Sequence, residues 1–373
     1  MKPLKLIFAL ITLICLLITP VLAEDAKDVN PQYDMQFEAS GAEELLKALD
    51  EETKALLDEL GLDLKNPNSL KAFSFKKLFK TLFNCIVDGF KAPLKTFVAV
   101  LGIIVVFSLL SSTLLEVSDT GGKRIFLTLM LITVLLSPLA TLIESTAELL
   151  KTLSAFLTVL IPILAGILSS LGKILTAGGM TATVLAVCQF MSYFLSVFLI
   201  PAVRAATCLG ICGNVADIKG VSRLCDTLKN AVLWCFGTAS AIFLSILGLG
   251  TSLAQTTDGA LIRTTKSVVS GILPVMGPLI SETLTTAGGC LNILKTGVGI
   301  YGIVALLVIT LPLLCTLLCW RASMLLLTAL SELFLLDEAT ALFKSLDFCL
   351  SMLSGALFFT LLIYIISVGT ILR

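Results

Sequence analysis

The sequence contains no histidine. That removes the side chain most often used as a general base near neutral pH, and the commonest metal ligand. Ser/His/Asp and Cys/His triads are thereby excluded within the chain. Charge is also scarce, at 14% of residues against roughly 25% in ordinary soluble domains. The 26 basic and 26 acidic side chains cancel, so net charge points to no nucleic acid and no acidic partner. There is no phosphate loop, no Rossmann glycine fingerprint, no HExxH and no paired C-x2-C ribbon. Gly121-Gly122-Lys123 lacks P-loop spacing. No cofactor, no metal and no catalytic residue is expected, and the chain reads as a non-enzyme.

Apolar residues are what the chain has in excess. They make up 57% of its 373 residues, with a mean hydropathy of +1.02. Soluble domains run nearer 45–50% apolar. The surplus falls in long runs, which makes the bilayer the solvent. The expected fold is all-α, a polytopic helical membrane bundle. Apolar runs lie near 96–115, 125–143, 152–172, 180–203, 231–254, 297–320, 322–336 and 348–372. The run 322–336 is short for the roughly 20 residues of a crossing, so seven or eight spans are expected. Seven of the eleven cysteines (Cys85, Cys188, Cys235, Cys290, Cys315, Cys319 and Cys349) sit among apolar residues and read as small hydrophobes. Cys208, Cys212 and Cys225 lie in a more polar connection where a disulfide is an option.

The N-terminus is arranged like an export signal. Lys2 and Lys5 precede an apolar stretch from Leu6 to Val21, and Ala23 precedes Glu24-Asp25. Residues 1–23 read as a signal peptide, with an uncleaved anchor as the alternative. Residues 24–95 read as an exported amphipathic region. Its first part is acidic, with Leu45, Leu46, Leu49, Leu56, Leu57 and Leu60 at helical spacing, too short for a large core of its own. It should dock on a partner or on the rest of the chain. From Lys71 to Lys95 lysines alternate with phenylalanines and leucines, as in a helix lying among lipid headgroups. Residues 96–373 form the multi-pass domain. Export of the N-terminal region places Lys123-Arg124 in the cytoplasm, while the same alternation leaves Lys91, Lys95 and the basic 204–230 connection outside.

Polar residues inside the spans are the remaining site candidates. Glu332 sits in the short run with Arg321 as a candidate partner, or else lies at the interface beside Asp337-Glu338. Gln189 is placed to hydrogen-bond between helices. Small residues such as Gly166, Ser169, Ser170, Gly299 and Gly302 permit close helix approach, within a compact bundle or a homo-oligomer. The connection 255–296 holds Gly271, Pro274, Gly277, Pro278, Gly288 and Gly289 in a moderately apolar stretch. That composition suggests short helices that re-enter the membrane, or a surface loop with amphipathic helices.

This same stretch carries a family likeness. Asp258-Gly259, Arg263, Lys266, Pro274-Val275, Gly277, Ser281-Glu282-Thr283, Gly289-Cys290, Lys295, Gly299 and Gly302 resemble the stage III sporulation protein AE family of endospore-forming bacteria. The order of signal segment, short polar region and multi-span domain fits the family as well. The resemblance implies a component of a channel or secretion-like complex linking mother cell and forespore. Its partners would be an ATPase, ring-forming proteins, other membrane components and a forespore-membrane protein. It places the chain in the mother-cell membrane around the forespore, with the N-terminal region in the intermembrane space. Pro274, Gly277, Glu282, Gly289 and Lys295 are then candidates for a structural or gating element. The competing reading is an independent small-molecule permease with its substrate site at the broken helices, although no internal repeat of the kind common in transporters is found.

Overall fold

A long apolar run cannot leave its backbone polar groups to lipid, and a helix satisfies them within itself. In a computed structural model of the chain, every apolar run that is described is helical. The structure describes residues 37–64, 75–113, 120–171, 174–216, 277–372 and the positions 223–224, 227–228, 230–232, 234–239, 241–243 and 245–246. The expected signal segment therefore lies outside the described residues, as does Pro274. Among the described residues there is no strand.

The acidic region forms two short helices, α1 (Glu43–Lys47) and α2 (Glu51–Glu59). Helix α2 ends where Gly61 takes a left-handed conformation at φ +83°. There the Leu62 N–H donates to the Leu57 carbonyl and the Gly61 N–H to Asp58. Those two bonds close the helix end, and Leu57 and Leu62 pack beneath it. Leu45, Leu49, Leu57, Leu60, Leu62 and Leu64 are all buried. The segment docks on the rest of the chain, α1 against α4 and α2 against α7.

The long helices are α3 (Phe75–Thr113), α4 (Thr120–Ser170), α5 (Ile174–Phe194), α6 (Ile200–Ala216), α7 (Gly277–Leu333) and α8 (Asp337–Leu372). Between α5 and α6 the chain widens into a π turn, Leu195–Leu199. Pro201 accounts for it: a proline ring collides with the carbonyl four residues earlier, here Val197. The Ser196 hydroxyl donates to the Ser192 carbonyl at 2.9 Å within this loosened stretch.

Five helical stretches are long and apolar enough to cross a membrane, among the described residues. This is fewer than the seven or eight apolar runs because helices merge runs. The runs 125–143 and 152–172 both fall on α4, whose 51 residues span about 77 Å at 1.5 Å per residue. Glu144, Glu148 and Lys151 do not interrupt it; they share one exposed face. The runs 297–320 and 322–336 merge in α7, because Arg321 continues the helix with no proline or glycine behind it. The stretch 277–296 forms the first turns of α7 rather than a separate short helix. Pro278 sits in the first turn, where its missing N–H has no helical partner anyway, and Gly288-Gly289 weakens a helix without breaking it. Asn230–Phe243 is a shorter apolar stretch. It packs through Phe236 on Phe359 of α8, with ring centres 5.3 Å apart.

Helix α7 is the axis of the bundle. From Leu294 to Trp320 nearly every side chain is buried, on all sides, as expected of a helix apolar all round. Helix α8 folds back along it, α3 and α4 flank it, and α5 and α6 cover the far side of α8. Gly89 on α3 lies against the Thr316 backbone, and Gly302 on α7 against Leu160 of α4. Small residues at these contacts are what allow helices to pack closely in lipid.

Candidate functional site

Polar groups in a bundle this apolar are costly unless they meet each other, so their meeting points define the candidate site. The densest of them is the α7–α8 hairpin. Its turn is only Phe334–Leu336, between Leu333 and Asp337. The Leu336 N–H donates to the Ser331 carbonyl and the Leu335 N–H to Glu332. This is the closure seen after α2, yet Leu335 holds the left-handed position at φ 54° where glycine is usual. Across the turn the Ser331 and Thr340 hydroxyls share a hydrogen bond of 2.7 Å. Further along, the Lys344 ammonium donates to Glu332 at 2.9 Å, both side chains exposed. Deeper still, Arg321 Nε donates to Asp347 Oδ1 at 3.2 Å, with only 17% and 22% of these side chains exposed.

The structure thus separates the Arg321–Glu332 pair that the sequence suggests. An i, i+11 spacing on one helix keeps the two residues about 16 Å apart along the axis. Each instead meets a residue of opposite charge on α8. Sequence reasoning alone does not single out Asp347 or Lys344. The signal that finds Asp347 is antiparallel register: once 322–336 and 348–372 are read as a hairpin, Arg321 and Asp347 lie at similar distances from the turn. Lys344 lies farther from the turn than Glu332, and its long side chain spans the offset.

A second meeting point joins α4 and α5. Gln189 Nε2 donates to Thr158 Oγ1 at 2.7 Å, and Ser154 donates to Gln189 Oε1 at 3.1 Å. On the buried side, the Tyr364 hydroxyl of α8 donates to the Cys188 carbonyl at 3.4 Å. The Cys188 thiol lies 3.7 Å from the Ser367 hydroxyl.

The third lies at the opposite end of α7 from its turn. Lys295 is 3% exposed. Six residues on, Tyr301 is within electrostatic reach of Asp58 and Asp63 from the docked N-terminal segment. A Cβ on Gly299 would fall inside the side chain of Leu372, so the end of α8 also converges here. Gly277, Glu282 and Gly289 lie on α7 below this point. From Gly277 to Lys295 the helix rises about 27 Å, so these candidates form a line along one rod and not a cluster.

Each of these arrangements joins one helix to another. Among the described residues, no three Cys, Asp or Glu side chains gather as a metal site, and the eight cysteines whose side chains are described are free thiols.

Comparison with known proteins agrees with the resemblance read from residues 258–303. The chain is 23% identical, over 246 residues, to the protein named stage III sporulation protein AE of Bacillus subtilis (strain 168). That match covers 65% of this chain and 61% of the relative, so it spans less than two thirds of the relative's length. No solved structure matches. The profile described as stage III sporulation protein AE matches residues 63–372, from the end of the docked segment through α8. Since that is well over half of the sequence, the chain belongs to the stage III sporulation protein AE family.

Proposed function

We propose that this chain is a non-enzymatic, integral membrane component of the complex that connects mother cell and forespore during endospore formation. The family match over 63–372 carries the reading. The bundle supports it: its polar residues hold helices together, and five stretches are apolar enough to cross a membrane. In this reading the chain sits in the mother-cell membrane facing the forespore, with residues 37–64 in the space between the membranes. Its partners are the ATPase, the ring-forming proteins and the other membrane proteins of that complex. Pro274, Gly277, Glu282, Gly289 and Lys295 act as a structural or gating element, because they lie on α7 or just ahead of it. Helix α7 contacts α2, α3, α4 and α8, so a shift along it would reach most of the bundle.

The test is capture of the tagged chain from sporulating cells in which the native gene is replaced. Co-capture of the ATPase and ring proteins, with heat-resistant spore counts that fall when the gene is deleted, is the expected result. A chain that comes down alone, in cells that sporulate normally without it, would be an independent permease.

A further inference from the structure

Two kinds of outer surface alternate around the bundle. Helix α3 and the first half of α4 expose large apolar side chains, among them Phe83, Val98, Leu109, Phe126, Leu129 and Leu136. Lipid covers such a surface. Between Leu136 and Phe190, among the described residues, no large apolar side chain is exposed. From Glu144 onward the exposed positions of α4 are charged, small or proline, among them Glu144, Glu148, Lys151, Ala155, Gly166 and Ser169. Helix α5 runs antiparallel beside it and exposes Gly178, Gly179, Ala182, Ala186 and Gln189. The Gln189–Thr158 bond joins the two strips into one face.

We infer that this α4–α5 face is where a second copy of the chain packs. Lipid is a poor occupant, because the face offers acyl chains no large apolar side chains and carries three charges. Beyond those charges water gains little either, because most of the other polar side chains along the face are already bonded. Thr152, Thr158 and Ser170 each donate to the carbonyl four residues earlier, and the Gln189 amide is bonded at both its oxygen and its nitrogen. A smooth surface of small, internally satisfied residues is what close helix packing uses. From Glu144 to Ser170 the α4 strip is about 40 Å long, and the α5 strip from Gly178 to Gln189 adds about 17 Å. At 8–10 Å of width for each helix that is about 500 Å² per partner, or about 1,000 Å² buried in a dimer, the lower end for a specific interface.

The charges specify a copy of the same chain. Glu148 and Lys151 are one turn apart on the exposed side of α4, and neither is held in an ion pair among the described residues. Two copies inserted in the same orientation, related by a two-fold axis along the bilayer normal, bring α4 beside its equivalent. Glu148 of each copy then meets Lys151 of the other, twice per dimer. This inference does not rest on the role in sporulation.

The experiment uses two differently tagged full-length copies co-expressed in membranes. Wild-type copies should co-capture each other. Glu148→Lys against itself and Lys151→Glu against itself should each lose about tenfold, since each puts like charges opposite. A Glu148→Lys copy with a Lys151→Glu copy should recover wild-type capture, because opposite charges meet again at both contacts. That recovery separates a contact between copies from a folding defect. In parallel, Ala155→Cys under mild oxidation should give a product of twice the chain's mass, and Phe126→Cys should not. The inference is overturned if wild-type copies do not co-capture, or if all charge combinations pair equally. It is also overturned if the thiol introduced by Ala155→Cys reacts with a membrane-impermeant maleimide as fast as one in a loop, which would make the face water-lined.

Discussion

Arg321 on α7 reaches across the hairpin to Asp347 on α8, and this ion pair is largely enclosed, with 17% and 22% of the two side chains exposed. Its geometry separates it from Lys344–Glu332, which is shorter at 2.9 Å but more than half exposed on both sides. Water and salt screen the outer pair; the inner pair has little water to fall back on. Asp347→Ala should therefore cost about 2 kcal/mol, since the guanidinium is left partly enclosed without its counter-charge. Glu332→Ala should cost less than about 1 kcal/mol. Thermal unfolding of the purified protein in detergent checks this: a clear drop for Asp347→Ala, almost none for Glu332→Ala. The exchange Arg321→Asp with Asp347→Arg should recover part of the loss.

The turn of the same hairpin gives a prediction of opposite sign. Leu335 is 86% exposed and holds φ 54°. Its side chain gains nothing from burial, while its Cβ crowds the backbone in the left-handed region. Leu335→Gly should stabilise the protein by about 1 kcal/mol, because glycine adopts that conformation without the clash. The midpoint of thermal unfolding should rise. A fall would mean that Leu335 is covered in the assembled protein.

Much of this is legible in the sequence, and the part that is not has a physical reason. The helical class and the docked leucines of α1 and α2 follow from composition and 3.6-residue spacing. The number of crossings does not. Glu144, Glu148 and Lys151 look like a break between spans because charge in an apolar run usually marks an end. On a helix their spacing puts all three on one face, so the run continues beneath them. The partner of Arg321 escapes a linear reading for a related reason. Pairing within 321–332 looks close on paper, yet the turn at Phe334–Leu336 brings 347 nearer in space than 332.

Close contacts at glycine predict where added bulk is tolerated. A Cβ on Gly89 would sit 3.3 Å from the Thr316 backbone nitrogen, and backbone cannot turn aside. Gly89→Val should push α3 off α7 at a cost of about 1–3 kcal/mol. Gly102, also on α3, has nothing within 4 Å of the same position, and Gly102→Val should be nearly neutral. Protein level in membranes and the unfolding midpoint in detergent should both fall for Gly89→Val alone.

The proposed element ahead of α7 is tested by function. Proline and glycine, here Pro274 and Gly277, disfavour a backward extension of α7 as one uniform apolar rod. Replacing Pro274 and Gly277 together with leucine favours such an extension. Spore formation should drop by at least tenfold while the protein persists at normal levels in the membrane. Wild-type sporulation at normal levels would remove these two residues from any gating role.

The docked N-terminal segment supplies the last prediction. Leu57 and Leu60 are fully buried between α2 and the bundle. Asp58, which lies between them in sequence, is exposed and within electrostatic reach of Tyr301. The adhesion is therefore mainly apolar, with charge at its rim. Leu60→Asp puts a carboxylate into that apolar contact, and the loss of one leucine's burial alone is worth about 2 kcal/mol. The segment is small, and its hold on α7 runs through α2, so this should be enough to release it. Limited proteolysis of the protein in membranes should then cut within 37–64 at least tenfold faster in Leu60→Asp. The bundle itself should stay protected, because α3–α8 keep their own contacts. Glu51→Lys on the exposed side of α2 should leave the rate unchanged, since it alters charge without touching the apolar contact. If Glu51→Lys released the segment as well, charge and not burial would be what holds it.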